Sequence, residues 1–240
     1  MRYQFQNLLT SFALWRLCVR PSLTIAILTT ATHVLAADNE LTSKEKADGW
    51  QLLFNGKDTS GWKNNTKKPI AAKIEDGALN PHGSGGYVIV YEKPFGDFVL
   101  KCDVKMDQPY CNSGIFVRIG DLKDPVQTGL EVQVLTEKNA DVHGFGAIYD
   151  LVAPAKNATH GPGKWDSVEL RCKGPKITVT VNGEKVSSID CDQWREPGKR
   201  LDGTPTKFKK AVKDFARSGY IGLQDHGNNV WFKNIKLREM

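Results

Sequence analysis

Phe98, Leu100, Cys102, Val104 and Met106 alternate with Lys101, Asp103 and Lys105, so this run has an apolar edge and a charged edge at a period of two. Such a run is a strand with one face on a core and the other in water. Similar short runs recur at 71–74, 77–80, 87–90, 98–106, 113–118, 130–135, 147–149, 167–172, 176–181, 185–189, 220–224 and 230–237, with Gly and Pro between them. Many short strands with turn residues at close intervals predict an all-β sandwich or barrel. ITVTV and EKVSSI, joined through Asn182-Gly183, carry a strong hairpin signal.

One stretch breaks the period. In TKFKKAVKDFARS, Phe208, Ala211, Val212 and Phe215 recur at i, i+3, i+4 and i+7, which predicts one short helix near 206–217. Pro205 and Thr206 suit its start, Gly219 lies beyond its end, and its lysines read as a solvated face. Trp50, Phe54 and Trp62 read as core residues, and 38–48 as a polar linker or helical turn. With no internal repeat, residues 49–240 form one domain.

The N-terminus reads as an address. Residues 1–36 carry Arg2, Arg16 and Arg20 and no acid, then an apolar run from Leu23 ending in small residues. That is the layout of a secretory signal peptide, with an uncleaved anchor as the alternative. Its removal lowers the formal charge from +6 to +3, since 33 basic residues become 30 against 27 acidic ones. The remaining charge implies no nucleic acid partner, and no later segment is long and apolar enough to cross a membrane. The expected location is exported, periplasmic or extracellular. Cys102, Cys111, Cys172 and Cys191 allow three disulfide pairings or stay as buried thiols, and no CxxC spacing marks a metal site.

Chemistry concentrates in 112–135. By parity Ile115 and Val117 share one face of NSGIFVRIG, with Phe116 and Arg118 opposite. Val132 and Val134 share one face of GLEVQVL, with Glu131 and Gln133 opposite. An arginine, a carboxylate and an amide are thus expected to point the same way, with Asn112 at the start of the first strand. A second polar group, Gln224-Asp225-His226-Gly227, ends a later strand. Gly-x-Ser-x-Gly, HExxH, phosphate-loop and dinucleotide fingerprints are all missing. A conventional glycosidase needs two carboxyl groups, and Gln133 stands where the second would be expected.

NGKDTSGW, NSGIFVR, GLEVQVL, GAIYD, VNG and GYIGLQDHGNNVWFKNIKL, in that order, closely resemble the 3-keto-disaccharide hydrolase domain, also described as 3-keto-glucoside 1,2-lyase or 3-keto-2-hydroxyglucal hydratase. The match spans about Gly49 to Leu237. It implies a concanavalin-like jelly-roll β-sandwich of two antiparallel sheets that holds a carbohydrate, in an exported bacterial enzyme. The implied substrate is a saccharide oxidised at C3. The ketone acidifies the C2 hydrogen, a base removes it, the enolate expels the C1 substituent, and water adds back.

The resemblance implies Glu131 and His226 as bases and Asp225 orienting His226. It gives Arg118, Gln133, Gln224 and Asn112 contacts to hydroxyls or enolate, and Tyr149 an acid or stacking role. A divalent metal ion held by carboxylate and imidazole is an open option for sharing the enolate charge. The chain departs from the family at Thr136, Asp166, Thr178, Thr180 and Lys233. A cross-strand ion pair for Arg118 and Glu131, a non-catalytic carbohydrate-binding module, and a surface protein packing on partners are the competing readings.

Overall fold

The computed structural model describes residue 1 and residues 37–66, 68–137 and 140–240; the expected signal segment lies outside the described residues except for Met1. Thirteen strands are formed among the described residues. They are β1 (Gln51–Leu52), β2 (Trp62–Asn64), β3 (Lys73–Glu75), β4 (Ala78–Asn80), β5 (Val88–Tyr91), β6 (Phe98–Met106) and β7 (Asn112–Ile119), followed by β8 (Leu130–Leu135), β9 (Trp165–Lys173), β10 (Lys176–Val181), β11 (Glu184–Asp190), β12 (Tyr220–Gln224) and β13 (Val230–Glu239). They make two antiparallel sheets of a jelly-roll sandwich. One runs β11-β10-β9-β6-β13-β4-β3 with β1 added on β13, and the other runs β2-β5-β12-β7-β8.

The alternation read from β6 is observed: its residues are buried and half-exposed in turn from Leu100 to Met106. The apolar set of β6 meets Ile115, Val117, Val132, Val134, Ile221 and Leu223 of the smaller sheet in one core. Burying such side chains supplies most of the stabilisation, at about 1.5–3 kcal/mol each. Asn182 takes φ +51 and Gly183 φ +79, as the turn between β10 and β11 requires. Phe54 and Trp62 reach the core, whereas Trp50 stays half-buried between Lys101 and Arg238. Cys102, Cys111, Cys172 and Cys191 are free, buried thiols.

The helix expected near 206–217 is absent; that segment holds one 3-10 turn, Val212–Asp214, flanked by extended residues. Its apolar residues are buried as the period suggested: Phe208, Ala211, Val212 and Phe215 all enter the core or its margin. The backbone, however, is spent on tertiary partners. Lys207 N–H donates to Asp150 Oδ2, Lys209 N–H to Gln127 Oε1 and Lys213 N–H to the Trp194 carbonyl, while the Phe208 carbonyl accepts from Gly198 N–H. A helical ladder would need those same groups, and the period alone cannot tell the two arrangements apart. The segment 38–48 takes the helical-turn alternative: α1 (Ser43–Ala47) has a Thr42/Glu45 capping box, and Glu45 pairs with Lys236 of β13.

Candidate active site

The sheet β2-β5-β12-β7-β8 has a second face, turned away from the core. Val132 and Val134 point inward, so Glu131 and Gln133 point outward on that face. The register sets Phe116 opposite Glu131 and Gly114 opposite Gln133. Gln224 of β12 joins them, since Ile221 and Leu223 take the core parity. These polar residues are nevertheless buried: Glu131 is 4 %, Gln133 2 % and Gln224 3 % exposed.

What covers them comes from loops. The run 144–149 lies along β8, with Gln133 N–H donating to the Ala147 carbonyl and Tyr149 N–H to the Glu131 carbonyl at 2.8 Å. The expected strand 147–149 is therefore an irregular edge with an isolated bridge between Ile148 and Val132, and it sets Tyr149 beside Glu131. Lys207, from the segment misread as a helix, brings its Nζ to 3.6 Å from Glu131 Oε2 and 4.1 Å from the Tyr149 ring centre. Tyr87 closes another side, its ring edge-on to Phe116.

Gln224 Nε2 donates to Glu131 Oε1 at 3.0 Å and to the Tyr87 hydroxyl at 2.6 Å, so both amide hydrogens are used. Gln133 Nε2 donates to Asn112 Oδ1 at 3.1 Å. The carbonyl oxygens Gln133 Oε1 and Gln224 Oε1 are buried, and no donor among the described residues reaches them. An orphaned buried acceptor costs about 1–3 kcal/mol. Two in one cluster mark a place that a ligand's hydroxyls or water would complete.

Burial dominates the electrostatics. It pushes the Glu131 carboxyl up to about 7, although Lys207 and the Gln224 amide pull the other way. Burial also lowers Lys207, opposed by Glu131 and Asp150, and raises Tyr87 to about 12 with help from the Glu131 charge. Glu131 thus titrates near neutrality, where a carboxylate can both take and return a proton. Gly114 makes room for it, because a Cβ there would stand 2.3 Å from Glu131 Oε1.

Not all expected residues converge. Arg118 has φ +54 at a β-bulge: β7 carries one residue more than β12 between the pairs Ile119–Tyr220 and Phe116–Gly222. The bulge returns Ile119 to the face of Phe116 and sends the guanidinium elsewhere. It donates to the Gly96 carbonyl, to the Gly174 carbonyl at 2.7 Å and to Asp97 Oδ1 at 2.9 Å. The expectation that Arg118 shares a direction with Glu131 and Gln133 is thereby corrected, and so is the Arg118–Glu131 ion pair. Gly219, read as lying past a helix end, faces the bulge: a Cβ there would meet the Ile119 carbonyl at 2.4 Å.

Asp225 does not orient His226. It contacts His82 Nδ1 at 3.3 Å and accepts from Gly83 N–H and Gly227 N–H, while His226 is exposed in the turn beyond. Among the described residues no hydrogen bond or ion pair joins His226 to the Glu131 cluster. Nor do three His, Cys, Asp or Glu side chains converge there as a metal would need. Amides, phenols and an ammonium surround Glu131, a donor set that does not fit a divalent ion. Gly114, Tyr87 and Lys207 escaped the sequence reading. A glycine inside a strand pattern signals close approach and could have marked Gly114; nothing local marks the other two.

The chain and its fold are similar to several known proteins. A solved Parabacteroides distasonis protein, provisionally named a glycosyl hydrolase, is 30 % identical, with TM-score 0.72 over 85 % of this chain and 100 % of its own. A second from the same organism is 28 % identical, with TM-score 0.71 over 80 % and 99 %. A Bacteroides thetaiotaomicron protein named 3-keto-disaccharide hydrolase is 25 % identical over 229 residues, 80 % of this chain and 79 % of its own. With the 3-keto-alpha-glucoside-1,2-lyase-like domain model matching residues 49–238, the chain belongs to that family.

Proposed function

We propose that this protein cleaves glycosides already oxidised at C3, with Glu131 as the base that removes the C2 proton. The observation that carries the reading is Glu131 itself: the one carboxylate on the described strands of its sheet, buried among amides and phenols and pushed by that burial up to about 7, while the neighbouring Asp150 is tied to Arg200. Direct glycoside hydrolysis works with a pair of carboxyl groups, and Glu131 is flanked instead by Gln133 and Gln224. Proton abstraction beside a ketone needs one base of suitable pKa and a partner for the enolate.

The chemistry balances without an oxidant. The C2–H electron pair forms C2=C3 while charge moves to the C3 oxygen. That charge then returns, C1=C2 forms, and the C1 oxygen leaves with a proton that protonated Glu131 can supply. Water adding across C1=C2 makes the net reaction a hydrolysis, in keeping with the name of the Bacteroides relative. The free Gln133 Oε1 and Gln224 Oε1 accept from sugar hydroxyls, and Asn112 fixes Gln133. Tyr149 offers a ring edge and a phenol whose proton is held by burial. Export to the periplasm or outside follows from the pattern of residues 1–36 and is checked by locating the mature protein in cell fractions.

The test is incubation of the purified protein with an aryl 3-keto-glucoside in D2O. Release of the phenol together with exchange at C2 is expected. Neither release nor exchange would sink the reading, and saccharide binding without turnover would favour a binding module.

A further inference from the structure

Elimination leaves one atom without a named partner: the C3 oxygen, which gains negative charge as the C2 proton departs. Among the described residues, one ammonium reaches the cluster where this happens. Lys207 is fixed at its backbone, its N–H donating to Asp150 Oδ2 at 2.6 Å and its carbonyl accepting from Gln127 Nε2 at 3.0 Å. Asp150 is itself tied to Arg200. The Lys207 side chain is 23 % exposed, and its Nζ stands 3.6 Å from Glu131 Oε2, over the Tyr149 ring.

That separation exceeds the roughly 2.7–2.9 Å of a well-formed charge-assisted hydrogen bond. The ammonium is near the base without being consumed by it, and its N–H donors remain available. Base and cation on one side of a bound ring can engage adjacent atoms, one the C2 hydrogen and the other the C3 oxygen. In a site this dry a fixed positive charge has far more effect than in water. Burial of Lys207 shows that it is drier than a surface lysine.

We propose that Lys207 is a catalytic residue of this site: its ammonium donates to the C3 oxygen and holds the enolate while Glu131 takes the C2 proton. The inference rests on the elimination reading above. As the C2–H pair becomes C2=C3, the carbonyl pair moves onto the C3 oxygen beside Lys207. When C3=O re-forms, the C1–O bond breaks and Lys207 keeps its proton throughout.

The experiment compares wild type, Lys207→Met and Lys207→Ala with p-nitrophenyl 3-keto-glucoside, following phenol release and C2 exchange in D2O. Lys207→Met is expected to lower kcat for both by about 10²–10³-fold, the usual loss of one such donor, with little change in KM. Its acid limb should move to higher pH, because the ammonium that lowers the Glu131 pKa is gone. Ethylamine should partly restore Lys207→Ala. Wild-type rates in Lys207→Met, or a raised KM with kcat intact, would overturn the proposal while leaving elimination standing. An inactive wild type would instead remove the elimination reading, and this proposal with it. If Lys207→Met does not fold, Lys207→Gln carries the same comparison.

Discussion

Arg118 and Glu131 lie on neighbouring strands, and both are nearly sealed from water, at 3 % and 4 % exposed. Their surroundings differ in kind. Arg118 has its donors matched by the Gly96 and Gly174 carbonyls and by Asp97, and so ties β7 to loops of the other sheet. Glu131 has one amide, a loose ammonium, and two orphaned carbonyl oxygens close by. A buried charge with every partner in place belongs to the scaffold; one left short of partners is where a ligand completes the set.

Substitutions can break or sharpen that contrast. Glu131→Gln should cost most, lowering turnover of a 3-keto-glucoside by about 10³-fold, within the range for a lost general base, while the domain still folds. Unchanged kcat would remove Glu131 from the chemistry. Arg118→Met should do the converse. Losing charge-assisted bonds to several carbonyls is expected to cost about 3 kcal/mol in denaturant unfolding, with kcat per folded molecule preserved. A folded Arg118→Met of normal stability but low kcat would erase the distinction.

The pH dependence follows the same line. Glu131 has a folded-state pKa of about 7, above its ordinary value of 4.5. Between those values the folded state keeps a proton that the unfolded state has released. Its contribution therefore favours folding at low pH and is lost as pH rises through about 7, by up to about 3 kcal/mol. Glu131→Gln should flatten that slope in unfolding measured from pH 4.5 to 8. Activity should instead rise with pH through a midpoint near 7, as the free base forms. Gln133→Met should raise KM about tenfold, as the loss of one hydroxyl contact would. His226→Ala should show the smallest change, under about tenfold and so below the range of a general acid or base.

Much of the scaffold was legible. The two-residue period predicted β6, β8, β10 and β12 to their ends, because one face of each is apolar and the alternation has no other cause. It also placed Glu131 and Gln133 on one face of their strand, and Gln224 opposite the apolar face of its own; that the two faces are the same is set by the pairing of β12 and β8 with β7. The same parity failed at Arg118, where one extra residue in a bulge reverses the facing of everything beyond it. Periodicity failed again at 206–217, where four buried apolar residues at helical spacing are held by backbone bonds to distant loops.

The sequence by itself determined the all-β class, the membership carried by its ordered motifs, and the lone carboxylate at Glu131. Those depend on local alternation and on residue identity, which the chain carries along its length. Only the tertiary structure decided that Arg118 leaves the site, that His226 stands outside the cluster, and that Lys207 and Tyr87 enter it. These are matters of long-range closure: Lys207 meets Glu131 across 76 residues of chain, through loops whose paths are set by what they pack against.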